Sequence, residues 1–252
     1  MKKVKLGIDI DEVLRAKWLA FDRYYADEFG EEGIKEPFDT YDLKNHYEFL
    51  EKVEETQYLK DEFLNNENLS KMSPIEYVVD EKTGKSPMDD LAFKTETKIL
   101  SPDQVFDKFL YEDFMFEIHG SAPKLYMNAD VDLNVFMKRY AEYFDFVFLA
   151  KTRVEAIPAT LFFLSKMRIE CKNISFVYNN EELFNQVDWV ITTDPTIANE
   201  KPNDKIVILL ERLYNKETVS DYTAYGISTL NEEITEANPN MFLEFVKDKI
   251  KI

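Results

Sequence analysis

The segment Val4-Lys-Leu-Gly-Ile-Asp-Ile-Asp-Glu12 sets the architecture that we expect of this chain. It is a short apolar run with β-branched residues, too short for a helix, and it leads directly into acidic residues. We interpret it as a buried first strand whose exit carries Asp9 and Asp11. Apolar and aromatic residues then recur at three- and four-residue spacing from Leu14 to Phe29, and Gly30 follows as a stop, which predicts an amphipathic helix.

Strand-like and helix-like segments alternate through the second half of the chain. Strands separated by helices indicate a parallel, doubly wound sheet, so the predicted fold class is α/β, with a Rossmannoid sheet and helices on both faces. The predicted elements are helix Val131 to Phe144, strand Phe146 to Ala150, helix Glu155 to Met167, strands Ile174 to Val177, Trp189 to Thr193, Lys205 to Leu210 and Ile227 to Leu230, and a last helix Pro239 to Ile250.

Residues 16–128 are predicted to form an insertion, so that residues 1–15 and 129–252 make up the core domain. The insertion is rich in charged and aromatic residues and lacks strand-helix alternation, which predicts a mostly helical cap. Within it, residues 77–86 are predicted to form a β-hairpin, because Gly84 can take the positive φ of a tight turn. Helical stretches are expected near Asp42 to Val53, Thr56 to Leu64 and Pro102 to Phe116.

Composition excludes several classes of protein. The 252 residues carry a formal net charge of −18, which argues against a clamp on nucleic-acid backbone. No apolar stretch approaches the roughly 18 residues of a membrane span, and the start of the sequence lacks a signal-peptide core, so a soluble, unsecreted protein is expected. Cys171 is the single cysteine, which rules out an internal disulfide, and the widely separated His46 and His119 lack metal-ligand spacing.

Asp9 and Asp11 are the candidate catalytic residues. Ligands gather at the carboxyl ends of strands in an open parallel sheet, which is where this pair would lie. One carboxylate could act as a nucleophile and the other as an acid or base, while both help to hold a hard cation such as Mg²⁺. The alternative is an acidic turn that caps the following helix.

The segment Gly7-Ile-Asp-Ile-Asp-Glu-Val-Leu14 resembles the first motif of haloacid dehalogenase-type phosphotransferases. The resemblance implies that Asp9 accepts the phosphoryl group and that Asp11 is the acid/base. The insertion after the motif is similar to the cap of the 5′-deoxyribonucleotidase branch, and Ala156-Ile-Pro-Ala-Thr-Leu-Phe-Phe-Leu-Ser-Lys166 fits the helix after the second motif.

The remaining motifs of that family are altered. Ala150 stands where a phosphate-binding hydroxyl is expected; Thr152 is the substitute, and Lys151 or Arg153 could hold an anion instead. Lys172 is the nearest candidate for the motif's cation, with a solvated turn lysine as its alternative. Thr192 and Thr193 replace the acidic pair that would contact the metal, and Asp194 lies one step late, as a metal ligand or an Asp-Pro turn initiator.

Two functions follow from this pattern, and a third stays open. Three segments, Ile8-Asp-Ile-Asp-Glu-Val13, Thr160-Leu-Phe-Phe-Leu-Ser-Lys166 and Ile191-Thr-Thr-Asp-Pro195, resemble the haloacid dehalogenase-like proteins encoded among virion genes of crAss-like tailed phages. This resemblance implies a non-catalytic neck or ring component near the portal, in the host cytoplasm and the assembled virion. Its partners would be copies of itself and other virion proteins, with the Gly84 hairpin and the aromatic segment 109–116 as candidate interfaces.

The alternative is a Mg²⁺-dependent phosphomonoesterase, with Asp9 as nucleophile and Asp11 as proton donor. In that enzyme Asp9, Asp11 and Asp194 hold the metal, and Thr152 and Lys172 bind the phosphate. The third function is binding of a metal or nucleotide without turnover.

Overall fold

The computed structural model describes residues 3–30, 43–59, 93–169, 172–232 and 240–250. Their contacts divide them into two compact units, residues 1–47 with 107–252, and residues 48–106. The second unit is smaller than the predicted insertion 16–128, whose boundaries stay a prediction. Gly84 and the predicted hairpin 77–86, like Cys171, lie outside the described residues.

The first unit is built on a six-stranded, wholly parallel sheet, which confirms the predicted α/β fold class. The strands are β1 Val4–Asp9, β4 Phe144–Lys151, β5 Ile174–Val177, β6 Trp189–Thr192, β7 Ile206–Leu210 and β8 Tyr222–Ala224. Their order in the sheet is β5-β4-β1-β6-β7-β8, so that β1 lies at the centre and the order reverses beside it.

Helices cover both faces of this sheet because the strands carry apolar side chains on both faces. Phe148, Ile191 and Ile208 point into one core, and their neighbours Leu149, Val190 and Val207 point into the other. The helices of this unit are α1 Lys17–Phe29, α2 Leu43–His46, α4 Ala129–Arg139, α5 Ile157–Lys166, α6 Asn180–Gln186, α7 Pro195–Asn199, α8 Ile227–Leu230 and α9 Met241–Ile250, and α3 Pro102–Lys108 leads into it.

The second unit contains a two-stranded antiparallel sheet, β2 Lys52–Leu59 and β3 Phe93–Leu100. The predicted helix Thr56 to Leu64 is therefore wrong over residues 56–59, because pairing with β3 along the whole strand outweighs a helical pattern of side chains. The helix predicted near Pro102 to Phe116 is confirmed over Pro102–Lys108 as α3, and two π-helical turns, Phe109–Asp113 and Phe116–Gly120, follow it.

The strand predicted at Ile227 to Leu230 is wrong. These residues form the short helix α8, and the sixth strand is β8, which lies just before it. Thr229 explains the difference, because its hydroxyl accepts from the N–H of Gly226 and donates to the Gly226 carbonyl, which closes a helical turn. None of the helices in the described ranges combines the length and the apolar character of a membrane span.

Candidate functional site

The candidate site lies at the carboxyl edge of the sheet, where β4, β1 and β6 end side by side. Asp9 is the last residue of β1, and Lys151 and Thr192 end the two strands that flank it. The Thr192 hydroxyl donates a 2.8 Å hydrogen bond to Asp9 Oδ2. The predicted placement of Asp9 at this edge agrees with the structure, and the side chain is buried, with 5% of the residue exposed.

Burial makes Asp9 a weak acid. It raises the pKa of Asp9 to about 7, the negative charges of Asp11 and Asp194 act in the same direction, and Thr192 and Lys151 oppose them. A carboxyl group with this pKa is partly protonated at neutral pH. Its protonated fraction at neutral pH is therefore larger than that of an ordinary aspartate.

Asp11 is held in a buried ionic cluster. Its Oδ1 accepts from Nε of Arg15 at 2.7 Å and from the Nη2 of the same guanidinium, and its Oδ2 accepts from Lys17 Nζ at 3.0 Å. Burial alone would raise the pKa of Asp11, but the two cations outweigh it and hold the pKa far below the usual range. Arg15 itself is fully buried, and its Nη1 donates to the His119 carbonyl and, at 3.2 Å, to Thr160 Oγ1.

Main-chain hydrogen bonds fix the loop that carries this cluster. The N–H of Ala16 donates to the Pro123 carbonyl at 3.0 Å, and the N–H of Leu125 donates to the Leu14 carbonyl at 2.8 Å. Glu12 turns the loop with a φ of 57°, a value that non-glycine residues rarely adopt. Its buried carboxylate accepts from the N–H of Trp18 at 2.9 Å, which satisfies a donor in the first turn of α1.

Asp194 lies in the loop after β6 and is completely buried. Its Oδ1 accepts from the N–H of Thr196 at 2.8 Å and from the Thr196 hydroxyl at 2.7 Å, so the side chain caps α7. Its Oδ2 forms a 2.5 Å ion pair with Lys151 Nζ, which also donates to Asn180 Oδ1 at 3.2 Å. The structure therefore brings Asp194 to the site, although both of its oxygens are already engaged.

The two predicted phosphate-binding residues are placed differently. Thr152 follows β4 directly and is buried, and its hydroxyl has no hydrogen-bond partner among the described residues. Lys172 precedes β5 and is exposed, so it lies at the amino edge of the sheet, opposite Asp9. There it lines a cavity of about 420 Å³ together with Lys3, Lys138 and Arg168. The structure does not bring Lys172 to Asp9.

The residues present do not fit a magnesium ion. Thr192 is a neutral hydroxyl that donates to Asp9 and accepts the N–H of Asp194, so it does not supply the carboxylate oxygens that Mg²⁺ prefers. Lys151 pairs with Asp194, and two cations hold Asp11. Among the described residues, no cluster of three or more His, Cys, Asp or Glu side chains could hold a metal.

Sequence reasoning missed Arg15, Lys17 and Asn180 as residues of the site. Arg15 follows Asp11 by four residues, a spacing that often pairs opposite charges and that could have signalled the ion pair. His119 was interpreted as structural, and its burial in the described core agrees with that interpretation. Burial and the neighbouring Lys17 and Arg15 cations lower its pKa well below the ordinary value, so the imidazole is neutral.

No protein-family model matches the chain, and no curated protein matches it. Among solved structures, it is similar to a protein from Burkholderia xenovorans LB400 that is described as a haloacid dehalogenase-like hydrolase. The two share 12% identity with a TM-score of 0.49, over 98% of this chain and 99% of that chain. The fold class rests on the strand order and the parallel register.

Proposed function

We propose that this chain is a non-catalytic protein on a haloacid dehalogenase-like scaffold, with a structural role in assembly. The observation that carries the proposal is the capture of Asp11 by Arg15 and Lys17. A general acid must hold a proton near neutral pH and release it to the leaving group. Asp11 does not hold one there, because its pKa is held far below the usual range.

Other groups that phosphoryl transfer would use are engaged in contacts within the protein. The reaction needs a metal ion and positioned cations that stabilise charge on the transferring group. Asp9 is a buried weak acid, and the Lys151 ammonium is engaged by Asp194 and Asn180. Each of these contacts is compatible with a stable fold, and each removes a group that catalysis would use.

An exposed apolar patch supports the assembly role. Phe116 and Phe162 lie with ring centroids 4.9 Å apart, and 44% and 43% of these residues are exposed, next to Leu161 at 42%. Adjacent exposed aromatic side chains are typical of protein contacts. We propose a second copy of the chain as the occupant of this patch. The resemblance to virion proteins of crAss-like tailed phages supports the proposal that such an oligomer belongs to the neck or ring near the portal.

A Mg²⁺-dependent phosphatase of the 5′-deoxyribonucleotidase type is the second candidate. The observation in its favour is the Thr152 hydroxyl, which is buried beyond the end of β4 without a hydrogen-bond partner in the described part of the chain. Asp9 would attack phosphorus in that enzyme, and Thr152 would donate to the phosphoryl oxygens.

A turnover assay separates the two candidates. Purified protein is incubated with p-nitrophenyl phosphate and with deoxynucleoside monophosphates, in Mg²⁺, Mn²⁺ or Co²⁺, beside an Asp9→Asn variant whose folding is verified by circular dichroism. We expect equal background rates from both proteins. Turnover that the wild type shows and Asp9→Asn lacks would establish the phosphatase and remove the non-catalytic proposal.

A further inference from the structure

We propose that Lys151 is the resident cation of the site, and that its ammonium group takes the place in which a divalent ion would neutralise Asp9 and Asp194. The inference deepens the proposed non-catalytic function and rests on it. Its starting point is the 2.5 Å ion pair between Lys151 Nζ and Asp194 Oδ2.

The parallel register aims Lys151 at the acidic residues. Asp9 pairs with Leu149 across β1 and β4, and Lys151 lies two residues beyond Leu149. Side chains two apart on a strand point to the same face, so Lys151 and Asp9 emerge from one face of the sheet. The long side chain of Lys151 reaches across the end of the central strand β1 to Asp194, in the loop after β6.

Thr192 joins the two acidic residues on the other side. Its hydroxyl donates to Asp9 Oδ2 at 2.8 Å and accepts the N–H of Asp194 at 3.0 Å. Asp9 and Asp194 therefore belong to one hydrogen-bonded unit. Within that unit the carboxylates bring negative charge, the threonine is neutral, and Lys151 is the cation that contacts Asp194 directly.

An ammonium group differs from a divalent ion in what it leaves open. A bound Mg²⁺ keeps coordination positions for water and for phosphate oxygens. Lys151 balances the buried charge of Asp194 by donating hydrogen bonds to Asp194 and Asn180, and it cannot polarise a phosphoryl group as a Lewis acid does. The charge of Asp194 is thus balanced by a side chain of the protein.

Removal of the Lys151 ammonium should create a binding site for a divalent metal ion. In Lys151→Met the completely buried Asp194 carboxylate loses its counter-charge, and a buried charge without a partner is strongly unfavourable. A divalent ion can then restore the balance. We expect no change in the thermal midpoint of the wild type with millimolar Mn²⁺, and a rise of about 2–4 °C for Lys151→Met relative to EDTA.

Two variants control the experiment. Lys205→Met removes a lysine whose Nζ lies 3.5 Å from Asp188, away from the site, and should show no response to Mn²⁺. Lys151→Met combined with Asp194→Asn keeps a helix-capping side chain and loses the carboxylate, so it should lose the response that Lys151→Met gains.

Two results would overturn the proposal. One is a Mn²⁺ response of the wild type that Asp194→Asn abolishes, since a metal would then bind despite Lys151. The other is the absence of a response in Lys151→Met. Should that variant not fold in EDTA, its refolding yield in Mn²⁺ becomes the readout, and equal yields contradict the proposal. Wild-type phosphatase turnover, in contrast, would remove the proposed function whatever Lys151→Met binds.

Discussion

Arg15 is the side chain on which the buried ionic cluster depends. It is fully buried and contacts Asp11, the His119 carbonyl and the Thr160 hydroxyl. Replacement by methionine leaves the Asp11 carboxylate buried, with Lys17 as its ion-pair partner among the described residues. We expect Arg15→Met to lower the free energy of unfolding by about 3–5 kcal/mol, because breaking one side of a buried ion pair costs about that much. Urea unfolding measures the change.

Arg153 provides the matched control for that experiment. It forms a 2.7 Å ion pair with Asp107, but the two side chains are 49% and 37% exposed. Exposed pairs contribute about 0–1 kcal/mol, so Arg153→Met should change the free energy of unfolding by no more than that. Equal losses in the two variants would contradict a structural role specific to Arg15.

Asp9 should leave a signature in the pH dependence of stability. Its pKa rises from 3.8 in the unfolded chain to about 7 in the folded protein, so the folded state binds more protons between these values. The contribution of Asp9 to stability is therefore greatest below pH 4 and is lost as the pH rises to about 7. Asp9→Asn should remove this loss, which has a slope of at most about 1.4 kcal/mol per pH unit.

Other groups titrate in the same range, so the comparison is made between wild type and variant. Glu12 acts in the same direction as Asp9, because burial raises its pKa to about 7 as well. His119 acts in the opposite direction, because its folded-state pKa is lowered and protonation of the unfolded chain below pH 6.5 destabilises the fold. The free energy of unfolding of each protein is plotted against pH. If the difference between wild type and Asp9→Asn stays constant from pH 5 to 8, the pKa of Asp9 is not raised in the folded protein.

The sequence predicted part of this site. Asp9 and Asp194 could be placed at one edge because Asp9 ends a buried parallel strand and Asp194 lies in the loop after another. The groups that bind their carboxylate oxygens could not be predicted, since the ion pair between Lys151 and Asp194 depends on strand order and register. The position of Lys172 could have been inferred from the sequence, because a residue that precedes a strand of a parallel sheet lies at the amino edge, opposite Asp9.

At the level of elements, β1 depends on the absence of a side chain at Gly7. A Cβ built there would lie 2.3 Å from Leu149 Cδ1 and 3.2 Å from Val187 Cγ1, both in the buried core. We expect Gly7→Ala to lower the free energy of unfolding by about 1–3 kcal/mol through overpacking. Thermal unfolding tests this.

Gly226 is the control for Gly7. A Cβ at Gly226 meets its nearest atom, Ser228 Oγ, at 3.6 Å, which is an ordinary contact, and the backbone is extended there. Gly226→Ala should therefore be nearly neutral. A loss as large as that of Gly7→Ala would show that glycine flexibility, and not space in the core, sets the effect.

The sequence predicted long apolar elements better than short ones. The central strands and α1, α5 and α9 follow from hydrophobic runs and periodicity, and Gly30 ends α1 in the left-handed conformation as expected. The short α6 and α7 were not predicted. They depend on caps, since Asn179 accepts from the Glu182 N–H and Asp194 accepts from the Thr196 N–H. Such single hydrogen bonds leave little periodic signal.

For the whole molecule, the net charge of −18 opposes the proposed self-association. Added salt shortens the screening length from about 10 Å at 0.1 M to about 3 Å at 1 M, so repulsion between copies weakens while apolar contacts persist. We expect the weight-average molar mass measured by sedimentation equilibrium to rise with the sodium chloride concentration. A mass that falls with added salt would indicate an ionic interface instead.

The Phe116–Phe162 patch should carry that association. Phe162→Ser should lower the mass at a given salt concentration because it removes half of the exposed ring pair. Val219→Ser is the control. Val219 is 85% exposed and lies just before β8, far in sequence from Phe116 and Phe162. Equal behaviour of Phe162→Ser and the wild type would place the interface elsewhere.

The hydrogen bonds of Ala16 and Leu125 bear on how long the loop around Asp11 keeps its shape. Both amides are paired across the loop with carbonyls of Pro123 and Leu14. Amide protons in such main-chain hydrogen bonds exchange with solvent only when the surrounding structure opens. We therefore expect the Ala16 and Leu125 amides to exchange about as slowly as the amides of the central strand β1, which hydrogen exchange measures.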